Sequence, residues 1–160
     1  MKKTLALSRL FDPSSVAIVG ISTDKTKHGY RVFSFLRRYG FKGNIYGINP
    51  KKPRISGMKV FRNLLELPSS PDTIIVAIPP ISTPQIIKDA VKIEAGSAIL
   101  FGGGFSENSN KGRKLEKTIK NIASSGNVRI LGPNSAGIIN AASKKVLSFL
   151  TCLERPEKEI

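Results

Sequence analysis

Four consecutive apolar residues, Val16-Ala17-Ile18-Val19, end at Gly20 and open into a polar loop that runs to Gly29. A run that is apolar at every position suits a strand buried on both faces, and such strands belong to parallel sheets covered by helices. Where a strand passes through a glycine-bounded loop into a helix, backbone N–H groups and the positive helix end converge. That is the place where an α/β sheet holds phosphate.

The rest of the chain repeats this pattern. Apolar side chains at Leu5, Leu7, Leu10 and Phe11 predict a short leading helix, closed by the turn Asp12-Pro13-Ser14-Ser15. Residues 30–39 read as a helix with Val32, Phe33, Phe35, Leu36 and Tyr39 on its apolar face and Gly40 as its stop. A second strand over residues 44–48 ends at Asn49-Pro50-Lys51-Lys52-Pro53, where two prolines forbid continuation. Residues 58–61 suggest a short strand, residues 63–67 a helical turn and residues 73–78 a third main strand ending at Pro79-Pro80. Ser82, Pro84 and Gln85 look like an N-cap, a first-turn proline and a capping box for a helix reaching Glu94, with Gly96 closing it. Residues 97–101 and 128–131 predict two further strands around a helix over residues 111–125, and 138–139 and 146–149 are expected as edge strands. This alternation predicts a doubly wound, mainly parallel α/β sheet in a single domain over residues 1–150, with 151–160 a polar tail or the start of a linker. Ligands of such sheets sit outside the carboxyl ends of the strands. The loops expected there, 20–29, 49–53, 79–80, 102–107 and 132–135, are also the most glycine- and proline-rich pieces of the chain.

Composition narrows the function. No apolar run approaches the ~18 residues of a membrane span, and the apolar stretch after Lys2-Lys3 is broken too early for a signal peptide, so the expectation is a cytoplasmic protein without a membrane partner. A single cysteine, Cys152, gives neither a disulfide framework nor a metal cluster. The net charge is +15, and residues 1–62 supply +12 of it, with 14 Lys and Arg against Asp12 and Asp24. So basic a field favours an anionic partner. No zinc knuckle, aromatic RNA platform or basic zipper accompanies it, so nucleic acid is not the expected partner.

A dinucleotide fingerprint needs G-x-G-x-x-G after the first strand and an acid on the second. Here Gly20 is followed by Ile21, the next glycine is Gly29, and the second strand ends in Asn49-Pro50-Lys51. A lysine there suits a phosphate carried on the ribose, as in NADP or coenzyme A (CoA).

Five segments together carry a family resemblance. They are Leu10-Phe11-Asp12-Pro13-Ser14-Ser15 with the strand and loop to Ser22, residues 40–51, Ala77-Ile78-Pro79, Gly103-Gly104-Phe105-Ser106-Glu107 and Leu131-Gly132-Pro133-Asn134. In order and spacing they resemble the CoA-binding domain of NDP-forming (ADP-forming) acyl-CoA synthetases, related to the N-terminal domain of the succinyl-CoA synthetase α subunit. The resemblance implies a Rossmann-like fold and coenzyme A as the cofactor. It implies that Gly20, Ser22, Thr23, Lys27, His28 and Gly29 hold the phosphates, that Asn49, Pro50 and Lys51 meet the adenosine end, that Ile78 and Pro79 flank the adenine or pantetheine, and that Gly104, Phe105, Glu107 and Asn134 line the way to the thiol. It further implies partner ligase and ATP-grasp domains or subunits, because the family relays phosphate through a histidine in a later domain and the one histidine here, His28, lies in the coenzyme loop. Ser135 stands where the family often has cysteine, so no thiol chemistry is placed there and no residue of this chain is assigned a catalytic role. The expected function is to bind CoA for the reaction of an acid, CoA and ATP to acyl-CoA, ADP and phosphate. A stand-alone CoA carrier or sensor and an NADP-binding reductase domain are the alternatives. The acyl substrate and the oligomeric state, a homo-oligomer included, stay open.

Overall fold

The computed structural model describes residues 2–154, with side chains from residue 7 onward. Six strands form one parallel sheet: β1 (Ser15–Val19), β2 (Asn44–Ile48), β3 (Lys59–Phe61), β4 (Thr73–Val76), β5 (Ser97–Leu100) and β6 (Arg129–Leu131). Their spatial order is β3-β2-β1-β4-β5-β6. The chain therefore moves outward from β1 to β3, then returns to lay β4 on the other side of β1. Between β1 and β4 the winding reverses, and at such a reversal the loops leaving the two strands part to form a crevice.

Side-chain alternation along the strands builds two cores. Ala17 and Val19 of β1 join Ile74, Val76, Ala98 and Leu100 on one face, under α3 (Thr83–Lys92), α4 (Asn110–Ser125) and the 3-10 turn Leu64–Glu66. Val16 and Ile18 join Ile75 and Ile99 on the other, under α1 (Lys2–Phe11) and α2 (His28–Arg38). Both faces being covered is why these strands are apolar at every position after their first residue, Ser15, Thr73 or Ser97.

The two segments expected as edge strands instead pair with each other. β7 (Gly137–Asn140) and β8 (Lys145–Ser148) form a separate antiparallel hairpin, and its Leu147 is buried in the α2 core. A 3-10 turn, Thr151–Glu154, follows and seats Leu153 against Phe35 and Val146. The Arg38 guanidinium donates to the carbonyls of Leu153 and Glu154, and the Tyr39 hydroxyl donates to Leu153 O at 3.1 Å. Of the tail expected over residues 151–160, residues 151–154 form this turn and the remainder lies outside the described residues.

Several local expectations are corrected. α2 begins at His28, two residues before the expected start. β4 stops at Val76, leaving Ala77 and Ile78 in the loop. Ser82 stands at the N-cap of α3 but its side chain makes no cap bond, because the 3-10 turn Pro80–Ser82 already holds it in helical geometry. Gln85 bonds forward to Asp89 at 2.9 Å instead of closing a capping box. Glu94, at φ 56°, takes the left-handed turn after α3 that was expected of Gly96. Among the described residues no helix is long and apolar enough to cross a membrane.

Candidate functional site

The loop leaving β1 is fixed by two close backbone approaches. Gly20 has φ +89°, and a Cβ placed there would fall 2.5 Å from Ala77 O and 2.7 Å from Ile78 Cγ2. Its N–H donates to Ile48 O at 3.0 Å, and Ala77 N–H donates to Val19 O at 2.9 Å, so the exits of β1, β2 and β4 are laced together. Gly29, in the first turn of α2, approaches just as closely: its Cβ would lie 2.6 Å from Gly20 O. The pair thus fills the turn and helix-packing roles that glycines of a dinucleotide fingerprint share, across a longer loop.

That longer loop folds on its own polar side chains. Asp24 N–H donates to Ser22 Oγ at 3.1 Å, and Asp24 Oδ1 accepts from the Thr26 hydroxyl at 2.7 Å and from the Thr26 N–H at 2.9 Å. The Thr26 hydroxyl, then its N–H, hold the Asp24 carboxyl below the usual carboxylate range. Thr23 and Lys27 are exposed on the same loop. Lys27 is the N-cap residue of α2, with no side-chain cap and no acid in the first turn. The first N–H groups of α2 therefore have no side-chain cap, and two cations belong to the same turn, Lys27 and Arg31, the latter 3.6 Å from Glu154.

His28 opens α2 with its ring stacked on Phe149, 3.9 Å between centroids, and edge-on to Phe101 at 6.4 Å. Burial first, and then Arg31 and Lys27, push its imidazole below the ordinary histidine value. Asn49 is committed inside the protein: its Nδ2 donates to Ile21 O at 2.7 Å and its Oδ1 accepts from Lys51 N–H at 2.9 Å. Asn49 thereby ties the β2 exit to the β1 loop and sets the backbone that carries exposed Pro50 and Lys51. Beside Lys51 a groove of about 550 Å³ is lined by Lys52, Arg54 and Lys59 with Ile55 and Met58.

On the other side of the crevice the loops of β4, β5 and β6 form a small-residue floor. Ile78 O lies 3.3 Å from where a Gly102 Cβ would sit, and Pro80 Cγ lies 3.2 Å from that of Gly104, which has φ +94°. A Cβ on Gly103 would meet Glu107 Oε1 at 3.2 Å and Asn134 Oδ1 at 3.4 Å. Glu107 Oε1 accepts from Gly104 N–H at 2.6 Å and Phe105 N–H at 3.2 Å. Hydrogen bonds from its own N–H, then from Gly104, keep the Glu107 carboxyl below its ordinary value. Asn134 N–H donates to Gly102 O at 3.0 Å, joining the β6 loop to the β5 loop. Phe105 is corrected: at 1% exposure its ring belongs to the α3–α4 core, so it anchors the loop from beneath and lines nothing. A second groove, of about 460 Å³, opens between Pro80, Ile81, Gly104 and the start of α4 at Ser109 and Lys111.

Five of the expected residues, Gly20, Gly29, Ile78, Glu107 and Asn134, lie along one run of close approaches. Gly29 touches Gly20, Gly20 touches Ala77 and Ile78, Ile78 approaches Gly102, and Gly103 sits beneath Glu107 and Asn134. The sequence reading gave no individual site role to Ala77, Pro80, Gly102, Gly103, Phe101 or Phe149, although it placed 79–80 and 102–107 among the ligand loops. The triple glycine 102–104 was a signal for two of them; the aromatic pair became visible only through the fold.

This line runs from the uncapped start of α2 on one side to the glycine loop 102–104 on the other. The CoA binding domain family matches residues 14–141, which takes in the whole crevice. The chain belongs to this family. The CoA-binding domain is 33% identical over 143 residues to acetate–CoA ligase [ADP-forming] II of Archaeoglobus fulgidus, covering 89% of this chain and 21% of that protein. It is 29% identical to the α subunit of acetate–CoA ligase [ADP-forming] II of Pyrococcus furiosus, covering 93% and 32%. Its fold superposes with a TM-score of 0.84 on the acetyl-coenzyme A synthetase 1 of Ca. Korarchaeum cryptofilum solved with phosphate and ADP, at 33% identity, covering 89% of this chain and 30% of that one. The CoA-binding domain therefore spans between a fifth and a third of these relatives.

The residues present suit coenzyme A. Its diphosphate needs N–H donors and cations, which the α2 start, Lys27 and Arg31 offer, and its 3′-phosphate needs a cation such as Lys51, which enters no ion pair among the described residues. Its pantetheine arm is slender, and the glycine loop 102–104 presents no side chain to obstruct it.

Proposed function

We propose that this domain holds coenzyme A for an NDP-forming acyl-CoA synthetase, while the acyl phosphate forms on other domains or subunits in the same compartment, the cytoplasm. One observation carries the reading: Gly20 and Gly29 close on each other at the switch point and present an uncapped helix start to the crevice. The relatives named above are ADP-forming ligases, which supports that reaction class. In this reading Gly20, Ser22, Thr23, Lys27, His28 and Gly29 surround the diphosphate. Asn49 and Pro50 shape the turn from which Lys51 meets the 3′-phosphate. Ile78 and Pro79 flank the middle of the coenzyme. Gly104, Glu107 and Asn134 border the thiol end. The chain's part in the reaction is to bind and orient. Each lysine–phosphate contact contributes about 1.5–3 kcal/mol, and a fixed thiol turns a bimolecular attack into a positioned one.

Calorimetric titration of the 160-residue chain with CoA and, separately, with NADPH tests this. Saturable one-site binding of CoA with no heat from NADPH is expected; the reverse pattern overturns it.

A further inference from the structure

His28 is the chain's single histidine and the first residue of α2. Two aromatic rings from two other elements bracket it. Phe149, just after β8, stacks on its face at 3.9 Å with 20° between planes, and Phe101, just after β5, meets it edge-on. The imidazole is thus fixed in orientation at the carboxyl edge of the sheet, beside the uncapped N–H groups of α2. Its ring nitrogens have no hydrogen-bond partner among the described residues.

The charges acting on it are Arg31, one turn along α2, and Lys27, immediately before it. Phe101 and Phe149 bring none. The acids on adjoining segments are engaged elsewhere: Asp24 with Thr26, and Glu154 with Arg31 at 3.6 Å. A helix N-terminus also disfavours a cation on its first residue. Partial burial, the neighbouring charges and the helix start therefore all favour the neutral ring in the ligand-free domain. A diphosphate at the same helix start offsets that field, because two negative charges then lie among Lys27, Arg31 and the ring.

We propose that His28 takes up a proton from solvent as the diphosphate docks, becoming a further cation of the site that is more populated in the complex than in the free domain. This rests on the CoA reading above and deepens it: affinity is coupled to pH through one residue, and tightens as pH falls. Linkage sets the size. Each unit by which binding raises the pKa of His28 makes the acid-limit affinity about tenfold tighter than the alkaline limit.

The test uses dephospho-CoA, whose diphosphate stays ionised and which has no terminal phosphate to titrate. Calorimetry between about pH 8 and about pH 6, in two buffers of unlike ionisation enthalpy, is expected to show fractional proton uptake and rising affinity through the histidine range. His28→Gln is expected to bind with no uptake and a flat pH profile. NMR of the single histidine in the unaltered chain gives a second readout that needs no variant: its pKa is expected to rise on saturation. An unchanged histidine pKa, or equal uptake in His28→Gln, overturns the proposal while leaving CoA binding intact. Failure of the unaltered chain to bind either CoA or dephospho-CoA at any pH overturns the CoA reading, and this inference with it.

Discussion

Replacing Gly29 by alanine tests the contact on which the proposed phosphate end depends. Gly29 has no left-handed backbone, so Gly29→Ala adds one methyl group without backbone strain. That methyl would stand 2.6 Å from Gly20 O and 3.2 Å from Ile21 Cα, where ordinary contact begins at 3.4 Å. Both neighbours are backbone, so α2 must retreat by about 0.8 Å, the difference between 3.4 and 2.6 Å. A charge-assisted N–H···phosphate bond is ~2.7–2.9 Å long, and stretched by that amount it reaches about 3.6 Å and ceases to be one. Loss of a single such bond removes about 1.5–3 kcal/mol, equivalent to roughly a 10- to 100-fold rise in Kd for CoA. Stability moves less. Overpacking costs about 1–3 kcal/mol, and alanine's better helix propensity returns up to ~1 kcal/mol of it. Calorimetry with CoA and urea unfolding of the same preparations measure both. A Kd within twofold of the parent, together with higher stability, would refute the claim that α2 rests on Gly20.

Lys51→Glu is expected to weaken CoA by about 10- to 100-fold and dephospho-CoA far less, since only CoA carries the 3′-phosphate; equal losses in parallel titrations would remove Lys51 from that role. Asn49→Ala strands Ile21 O and Lys51 N–H and should cost about 1–3 kcal/mol in urea unfolding; a neutral result would show that the two loops are tied by other means. Phe105→Ala should cost about 3–5 kcal/mol, as removal of a buried ring does, and a small loss would place the ring outside the core. Because the folded protein depresses the His28 pKa, its contribution to stability is present above the unfolded histidine value of 6.5 and falls away as pH drops through the lower folded value. Stability of the ligand-free chain should therefore decline more between about pH 7 and pH 5 than that of His28→Gln, and parallel curves would contradict the direction given.

How much of this was legible in the sequence depended on whether the cause was local. Val16-Ala17-Ile18-Val19 announces a buried strand because burial on both faces leaves its mark at every position. Gly20 and Gly29 were visible as loop bounds, yet their mutual contact was not, since the loop between them is shaped by Ser22, Asp24 and Thr26. The capping box failed because Ser82 obeys the 3-10 turn begun at Pro80, an influence from upstream that outweighs the helix it precedes. Phe105 carried the right motif and the wrong role: its loop was recognisable, but whether the ring points into the core is decided by α3 and α4. The hairpin of β7 and β8 was hardest to foresee, for its short apolar segments give no sign of whether they join the main sheet or each other.

The segment from β8 through the 3-10 turn lies against α2 along its whole length. Phe149 grips the helix at His28, and the carbonyls of Leu153 and Glu154 hold it at Arg38 and Tyr39. In the proposed reading, this splint couples opening of the hairpin to loosening of α2, the helix that would hold the phosphates. Coenzyme bound only at the first turn of α2 would then slow amide exchange in β7 and β8, a region it never touches, and strain applied to the splint would be felt as weaker grip on the coenzyme.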